Sequence, residues 1–501
     1  ILNKKYIDRI IKRIYIKNDE RKKWAMIGRI NEIQQLNACY FSSQAELAVI
    51  HGRTRTGKTY LVDEVFRSRI TFRHTGLSPA ERENTGLLKA QLEHFYYSLL
   101  LHGMEKGKKP MSWLEAFHML EKLLESKDTG SRQVVFLDEM AWLDSPRSGF
   151  LTAFEGFWNT WGCHRENLMV VICSEADLWT EEKLLNNTSG LYGRVTLDIK
   201  LKPFTLAESE EFLKSREIAL SRFETIQFYM MLGGNPYYLN CIKSGLSFAQ
   251  NVNELFFTEG ARLKGEYDRL LSAVFANAEP VKRILAVLAT ENAGFTRGEL
   301  AQKIKLKDGK KLSEYLNALV AGDFVGKYVP YGENGNAVHY KLIDPFCIFY
   351  LAFVNGAKNV KANHWQRAAS SEKAGNWREK AFENVCFNHI GQIKKALGIS
   401  GVETTLQIWT KRYESDTGER SLMLIFRDDG IVNMCEIRFR NDDITVDKGL
   451  YRLVLRRQEM LEKMAEPGTV LKPALITVFG VVDNEYKGIF ADVLTLEDLF
   501  S

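Results

Sequence analysis

Eight residues at one place in the chain have the types and spacing to bind polyphosphate. Gly52-Arg53-Thr54-Arg55-Thr56-Gly57-Lys58-Thr59 fits G-x-x-x-x-G-K-[ST]. The glycines let the backbone wrap a phosphate chain, and a helix starting at its end offers free N–H groups to it. Lys58 would reach the β- and γ-phosphates, and the Thr59 hydroxyl would sit on Mg²⁺. A second piece of the same chemistry lies 79 residues on from Thr59, where Val134-Val135-Phe136-Leu137 ends in Asp138-Glu139. An acid at the tip of an apolar strand can hold the Mg²⁺ of a bound nucleotide, and its neighbour can polarise an attacking water. Asp138 takes the first role and Glu139 the second. The alternative is a pair of exposed strand-end acids.

These residues need a scaffold that brings strand ends together. Glu46–Ile50 reads as a buried strand running into the loop, with Tyr60–Phe66 as helix after it. Ile70–Phe72, Gln133–Leu137, Leu168–Cys173 and Val195–Leu201 read as further strands, with helical patterns over 84–101 and 112–126. Strands alternating with helices predict an α/β fold whose parallel sheet is covered on both faces. From 206 to 290 the pattern is helical. Helices at 281–290, 297–303 and 310–321 and strand-like runs at 324–329 and 337–342 make a winged-helix pattern. A polar stretch at 355–372 reads as a linker. The last block reads as helix 377–397, strands 404–412, 421–426 and 431–439, helix 447–464 and strand 474–479.

Composition sets the bounds. The chain has 501 residues, 45% of them hydrophobic and 26% charged, which excludes a disordered chain or a small disulfide scaffold. No apolar run is long enough to predict a membrane span. The formal net charge is +5, but residues 1–23 alone carry +6. The basic character is therefore an N-terminal arm, read as a solvated amphipathic helix or a nucleic-acid contact, and not as a signal peptide. Seven cysteines without a C-x-x-C pair predict thiols in a reducing cytoplasm and no zinc site.

With these residues in place, the chain resembles AAA+/STAND-type P-loop ATPases. More closely it is similar to the prokaryotic archaeal-ATPase family, whose members carry a C-terminal domain related to PD-(D/E)XK nucleases. The shared residues are Ile27-Gly28-Arg29, the loop, Asp138-Glu139 with Trp142-Leu143-Asp144, Gly190 to Arg194, Gly233-Gly234-Asn235-Pro236-Tyr237-Tyr238, and Cys435-Glu436-Ile437-Arg438. The resemblance implies an ASCE-type core over 24–205, a helical lid over 206–277, a winged helix over 278–354, the linker, and a nuclease-like α/β domain over 373–501. It implies ATP and Mg²⁺ as ligands. Gly28 and Arg29 would border the adenine pocket, with Pro236 near the base, and Tyr60 counts with the loop among the nucleotide-binding residues. Ser174 would sense the γ-phosphate, and Arg194 is an arginine-finger or sensor candidate, against a plain surface arginine. Where relatives have Gly-Ser, this chain has Ser174-Glu175. A carboxylate beside a γ-phosphate is repulsive, so Glu175 turns away or turnover is slow.

In the tail, the nuclease pattern needs a helix Glu, a strand Asp and E-x-K. Glu383 takes the helix place and Glu436 the first place of E-x-K, but Leu422 stands where the strand Asp belongs and Arg438 where the Lys belongs. Leucine cannot ligate a metal, and arginine is too basic to accept a proton. The site reads as degenerate, or as shifted onto Asp428, Asp429 or Asp442. The functional expectation is a cytoplasmic ATPase whose hydrolysis drives a conformational switch. The alternatives are an ATP-controlled nucleic-acid-binding adaptor and an ATP-dependent nuclease. DNA contact through Lys310–Ala321 or the tail, and homo-oligomerisation, stay open.

Overall fold

The computed structural model describes residues 26–501 except 79–86, 176, 187–189, 276, 334–336, 358–359, 361–362 and 411–420. The basic arm of 1–23, the start of the helix expected from 84 and the end of the strand expected over 404–412 lie outside the described residues.

The N-terminal sheet forms where the sequence is continuously apolar. Strands β1 (Glu46–His51), β3 (Gln133–Asp138) and β4 (Leu168–Ser174) are buried at every residue, as strands covered on both faces must be. With the edge strands β2 (Ile70–Thr75) and β5 (Leu197–Lys200) they make a parallel sheet in the order β2-β3-β4-β1-β5. Two hydrophobic layers clamp it. One holds Trp113, Phe117, Phe150 and Phe154 from the helices Trp113–Ser126 and Phe150–Thr160. The other holds Leu36, Leu61 and Phe66 from the helices Ile30–Tyr40 and Lys58–Phe66.

Residues 205–274 form a helical block. Three of its helices start on capping boxes, Thr205 with Glu208, Ser221 with Glu224 and Ser247 with Gln250. In each, the Ser or Thr oxygen and the acid or amide three residues on satisfy two backbone N–H groups that the helix leaves open. Next come the helices Glu279–Leu288, Arg297–Lys303 and Lys310–Ala321. With them goes a small antiparallel sheet in which β8 (His339–Leu342) lies between β6 (Phe295–Thr296) and β7 (Val325–Tyr328).

Part of the stretch read as a linker is described, and that part is packed. Its helix His364–Ala368 buries Trp365 in edge-on contacts with Phe349, Phe353 and Trp377. The single helix expected over 377–397 is two, Glu372–Asn388 and Ile390–Ala396. The break falls at His389, which is buried and accepts the Leu206 N–H at Nε2, 3.1 Å away.

The last sheet runs β13-β12-β11-β10-β9, from β9 (Thr404–Trp409), β10 (Leu422–Arg427), β11 (Ile431–Arg438), β12 (Val470–Thr477) and β13 (Asp492–Leu494). The β9-β10-β11 part is antiparallel and the β11-β12-β13 part parallel. All seven cysteines are free thiols. Among the described residues no helix is long and apolar enough to cross a membrane.

Candidate nucleotide site

The loop closes between β1 and the helix Lys58–Phe66. Gly52 has φ +134°, and a Cβ there would lie 2.6 Å from the Leu201 carbonyl, so the turn out of β1 needs glycine. The Lys58 ammonium folds back on the loop, donating to the Gly52 and Arg53 carbonyls at 2.8 Å each.

Parallel pairing of β1, β4 and β3 brings the other groups to the same edge. The Thr59 hydroxyl donates to Asp138 Oδ2 at 3.1 Å. Burial raises the Asp138 pKa, opposed by that hydroxyl and by the Glu139 N–H. Glu139 has φ 50°, a left-handed conformation uncommon for a side chain of its kind, and it stands just before the short helix Met140–Leu143 without a side-chain capping bond. That bend turns its carboxylate toward the end of β4. There one oxygen accepts the Glu175 N–H, while Oε2 is buried with no protein partner among the described residues. Burial, then the Glu175 carboxylate, push the Glu139 pKa up to about 8.

Ser174 is fully buried at the end of β4, in register with His51 of β1. Glu175 follows it and puts Oε1 3.7 Å from Lys58 Nζ. Tyr60 is half exposed on the first turn of the loop helix.

The helical block reaches the loop from the other side. Asn235 donates to the Thr54 carbonyl at 3.3 Å and caps the turn that Pro236 opens. Gly234 has a packing reason to be glycine, because a Cβ there would lie 1.8 Å from the Phe204 carbonyl. Gly28 and Arg29 stand beside this junction. The Arg29 N–H donates to Glu208 at 3.4 Å, its guanidinium lies 4.7 Å over the Phe204 ring and it donates to the Thr56 carbonyl. Arg194 is exposed on the turn before β5, outside this group of contacts.

Sequence reading missed two ion pairs of the loop. Arg53 pairs with Asp344 and Arg55 with Glu266, both acids being buried. Arg53 also stacks on Phe324 and Arg55 on Tyr237. The partners lie 291 and 211 residues away, which no local pattern signals.

The four tail residues do not converge. Glu383 bonds Lys341 at 2.9 Å and Asn292 at 3.0 Å, on a helix whose Cys386 packs with Cys435. Glu436, one residue on in β11, faces the opposite side of the sheet, where it pairs with Arg438 and with Arg457 of the helix Lys448–Glu462. Leu422 is buried in the hydrophobic layer of that second face. Arg440, just past the strand, bonds Glu379. Among the described residues no three His, Cys, Asp or Glu are placed to hold a metal ion.

The sheet, the loop and the Asp138–Glu139 tip define an α/β core resembling P-loop ATPases. Residues 26–242 match the model of a family described as an ATPase domain predominantly from Archaea. An uncharacterized protein of Methanocaldococcus jannaschii is 26% identical over 332 residues, 66% of this chain and 68% of that one. A Walker-type ATPase of Pyrococcus abyssi is similar in structure at TM-score 0.46 and 19% identity, over 66% of this chain and 96% of that one. The ORC2 protein of Aeropyrum pernix, solved with ADPNP and ADP, is similar at TM-score 0.40 and 14% identity, over 70% and 96%.

Proposed function

We propose that the chain binds Mg·ATP at residues 52–60 and hydrolyses it slowly, and that closure of a helical lid (206–277) on the core (24–205) makes the cycle a conformational switch. The observation that carries this is the meeting of Lys58, Thr59, Asp138 and Glu139 at one sheet edge, with Asn235 of the lid on the loop backbone. The fit to Mg²⁺ rests on the Thr59 hydroxyl and Asp138 carboxylate sharing one point. Mg²⁺ keeps several waters and takes few protein ligands, so one hydroxyl and one carboxylate suffice beside nucleotide phosphates. When bound it would neutralise phosphate charge. The chain's own residues do the rest: loop N–H groups and Lys58 hold the phosphates, Ser174 faces the terminal one, and Glu139 Oε2 accepts from the attacking water. Gly28, Arg29 and Pro236 border the base.

Turnover of ATP by the purified chain, with and without Mg²⁺ and across DNA, RNA and no nucleic acid, tests this reading. Phosphate release that needs Mg²⁺ supports it, and none under any condition removes it. Lys58→Ala is expected to weaken ATP binding by about 1.5–3 kcal/mol, the scale of charge-assisted hydrogen bonds. Titration with a fluorescent ATP analogue checks it, and unchanged affinity would make the loop structural.

The winged-helix reading of 278–354 is supported by the three helices and small sheet. Its helix Lys310–Ala321 is used inside the molecule. Leu312, Leu316 and Leu319 are buried, and Lys200 at the end of β5 bonds the Ala321 carbonyl and Asp323. That favours packing against the core over reading a DNA groove.

The nuclease-like reading of 373–501 is kept for fold alone. Glu383 is spent on Lys341, Glu436 on two arginines, and Leu422 offers no ligand. Purified protein with ATP and Mn²⁺ is expected to leave supercoiled and linear DNA intact over hours on a gel. Cleavage abolished by Glu436→Ala would reverse this.

A further inference from the structure

The order β3-β4-β1 gives the residue after β4 a special place. It must stand between the loop that follows β1 and the acidic tip that follows β3. In this chain that residue is a glutamate, and its backbone and side chain face different neighbours. The Glu175 N–H goes to the Glu139 carboxylate, while its own carboxylate faces the Lys58 ammonium at 3.7 Å.

Lys58 has three N–H groups. Two go to the Gly52 and Arg53 carbonyls. The side left over is the one toward Glu175, and it is the side on which the lysine would meet a terminal phosphate. The loop's other cations are committed elsewhere, Arg53 to Asp344 and Arg55 to Glu266. Lys58 thus faces Glu175 with Asp138 and Glu139 close by, and all four side chains are mostly buried, where charges are poorly screened.

Resting on the ATP reading of this site, we propose that Glu175 stands in for the terminal phosphate of a nucleoside triphosphate. Its carboxylate neutralises Lys58 while the site is empty or holds a diphosphate, and a triphosphate must displace it. A diphosphate leaves the terminal position free, so Glu175 stays on Lys58 and opposes the more distant β-phosphate far less than it would a γ-phosphate. A triphosphate brings negative charge to the place the carboxylate holds. Glu175 is therefore a positioning and specificity residue that shifts the chain's preference toward diphosphate. It makes loading with triphosphate conditional on moving one side chain.

The test uses the full chain at fixed Mg²⁺, with calorimetric titration of ADP and of a non-hydrolysable ATP analogue. Glu175→Gln keeps the backbone N–H to Glu139 and nearly the same shape, but removes the charge. It is expected to tighten the ATP analogue by about tenfold, the size of a charge interaction worth one pK unit. ADP affinity should move by less than about twofold. Glu175→Asp keeps the charge and should retain the wild-type preference, which a purely structural role would not predict. In steady state the KM for ATP should fall in Glu175→Gln by a larger factor than kcat changes. Equal tightening of both nucleotides, no change in either, or weakened triphosphate binding would each overturn the inference and leave the ATP site standing. Absence of binding by wild type and variants alike would overturn both.

Discussion

Glu139→Gln is expected to keep ATP bound and to lower turnover by about 10²- to 10⁴-fold, the contribution of a positioned acid–base group. The substitution preserves the size of the side chain and the left-handed turn that aims it. It also leaves Lys58, Thr59 and Asp138 untouched, so the groups that hold nucleotide in the ground state remain. What is lost is the ability of the carboxylate to accept a proton from water as the bond to phosphorus forms. A change felt only in the transition state lowers kcat and kcat/KM together. Phosphate release in single turnover, measured beside equilibrium binding of ATP, separates the two effects. Turnover that persists would move the base elsewhere, and Glu175 is the carboxylate next in line. Lost binding would mean that Glu139 shapes the pocket and does not act on water.

The parts of this site that could be read from sequence are those whose physics is local. Glycine at 52 and 57, a lysine and a hydroxyl at a helix start form one contiguous pattern. Val134–Leu137 and Leu168–Cys173 are unbroken apolar runs because their strands are covered on both faces. Such runs also predicted the order of strands and helices along the chain. They cannot say which strand lies beside which. The nearness of Glu175 to both Lys58 and Glu139 follows from β4 lying between β1 and β3, which the resemblance implies for the phosphate end but the apolar runs alone do not reveal.

The tail residues stay apart for a related reason. Glu383 and Glu436 match a known spacing, but pleating sends successive side chains to opposite faces. Cys435 faces the helix that carries Glu383, so Glu436 must face away from it. The broken helix at His389 was equally hidden, since the group that bonds the ring is the N–H of Leu206, at the start of a helix 183 residues earlier. The polarity of 355–372 hides its one tryptophan, which sits among aromatic rings.

Asp344→Ala is expected to destabilise the protein by about 3–5 kcal/mol, the usual cost of removing one partner of a buried ion pair. Arg53 and Asp344 are both under a tenth exposed. Burial works against the Arg53 cation, and the Asp344 carboxylate overcomes it, so the arginine pKa is raised. Without the carboxylate the guanidinium keeps only its place over the Phe324 ring, 4.4 Å away, which offers no hydrogen-bond acceptor in the ring plane. Asp344 also accepts the Cys347 N–H at 2.7 Å, capping the helix Pro345–Phe349, and a lost cap adds about 1 kcal/mol. Asp344→Asn separates the two terms, because an amide oxygen keeps the cap and loses the charge. Arg53→Met combined with Asp344→Leu removes both charges, and should recover most of the loss apart from the cap, since apolar pairs replace buried ion pairs at little cost. The shift of the urea midpoint across the four proteins reads these differences. A single Asp344→Ala variant within about 0.5 kcal/mol of wild type, the span of an ordinary surface substitution, would mean that water reaches the pair. The expected ranking would show instead that the nucleotide loop is bolted to a helix nearly three hundred residues away. Any rearrangement of the loop around phosphate must then be felt at Pro345–Phe349, whose Phe346 and Phe349 lie in the hydrophobic core shared with the C-terminal sheet.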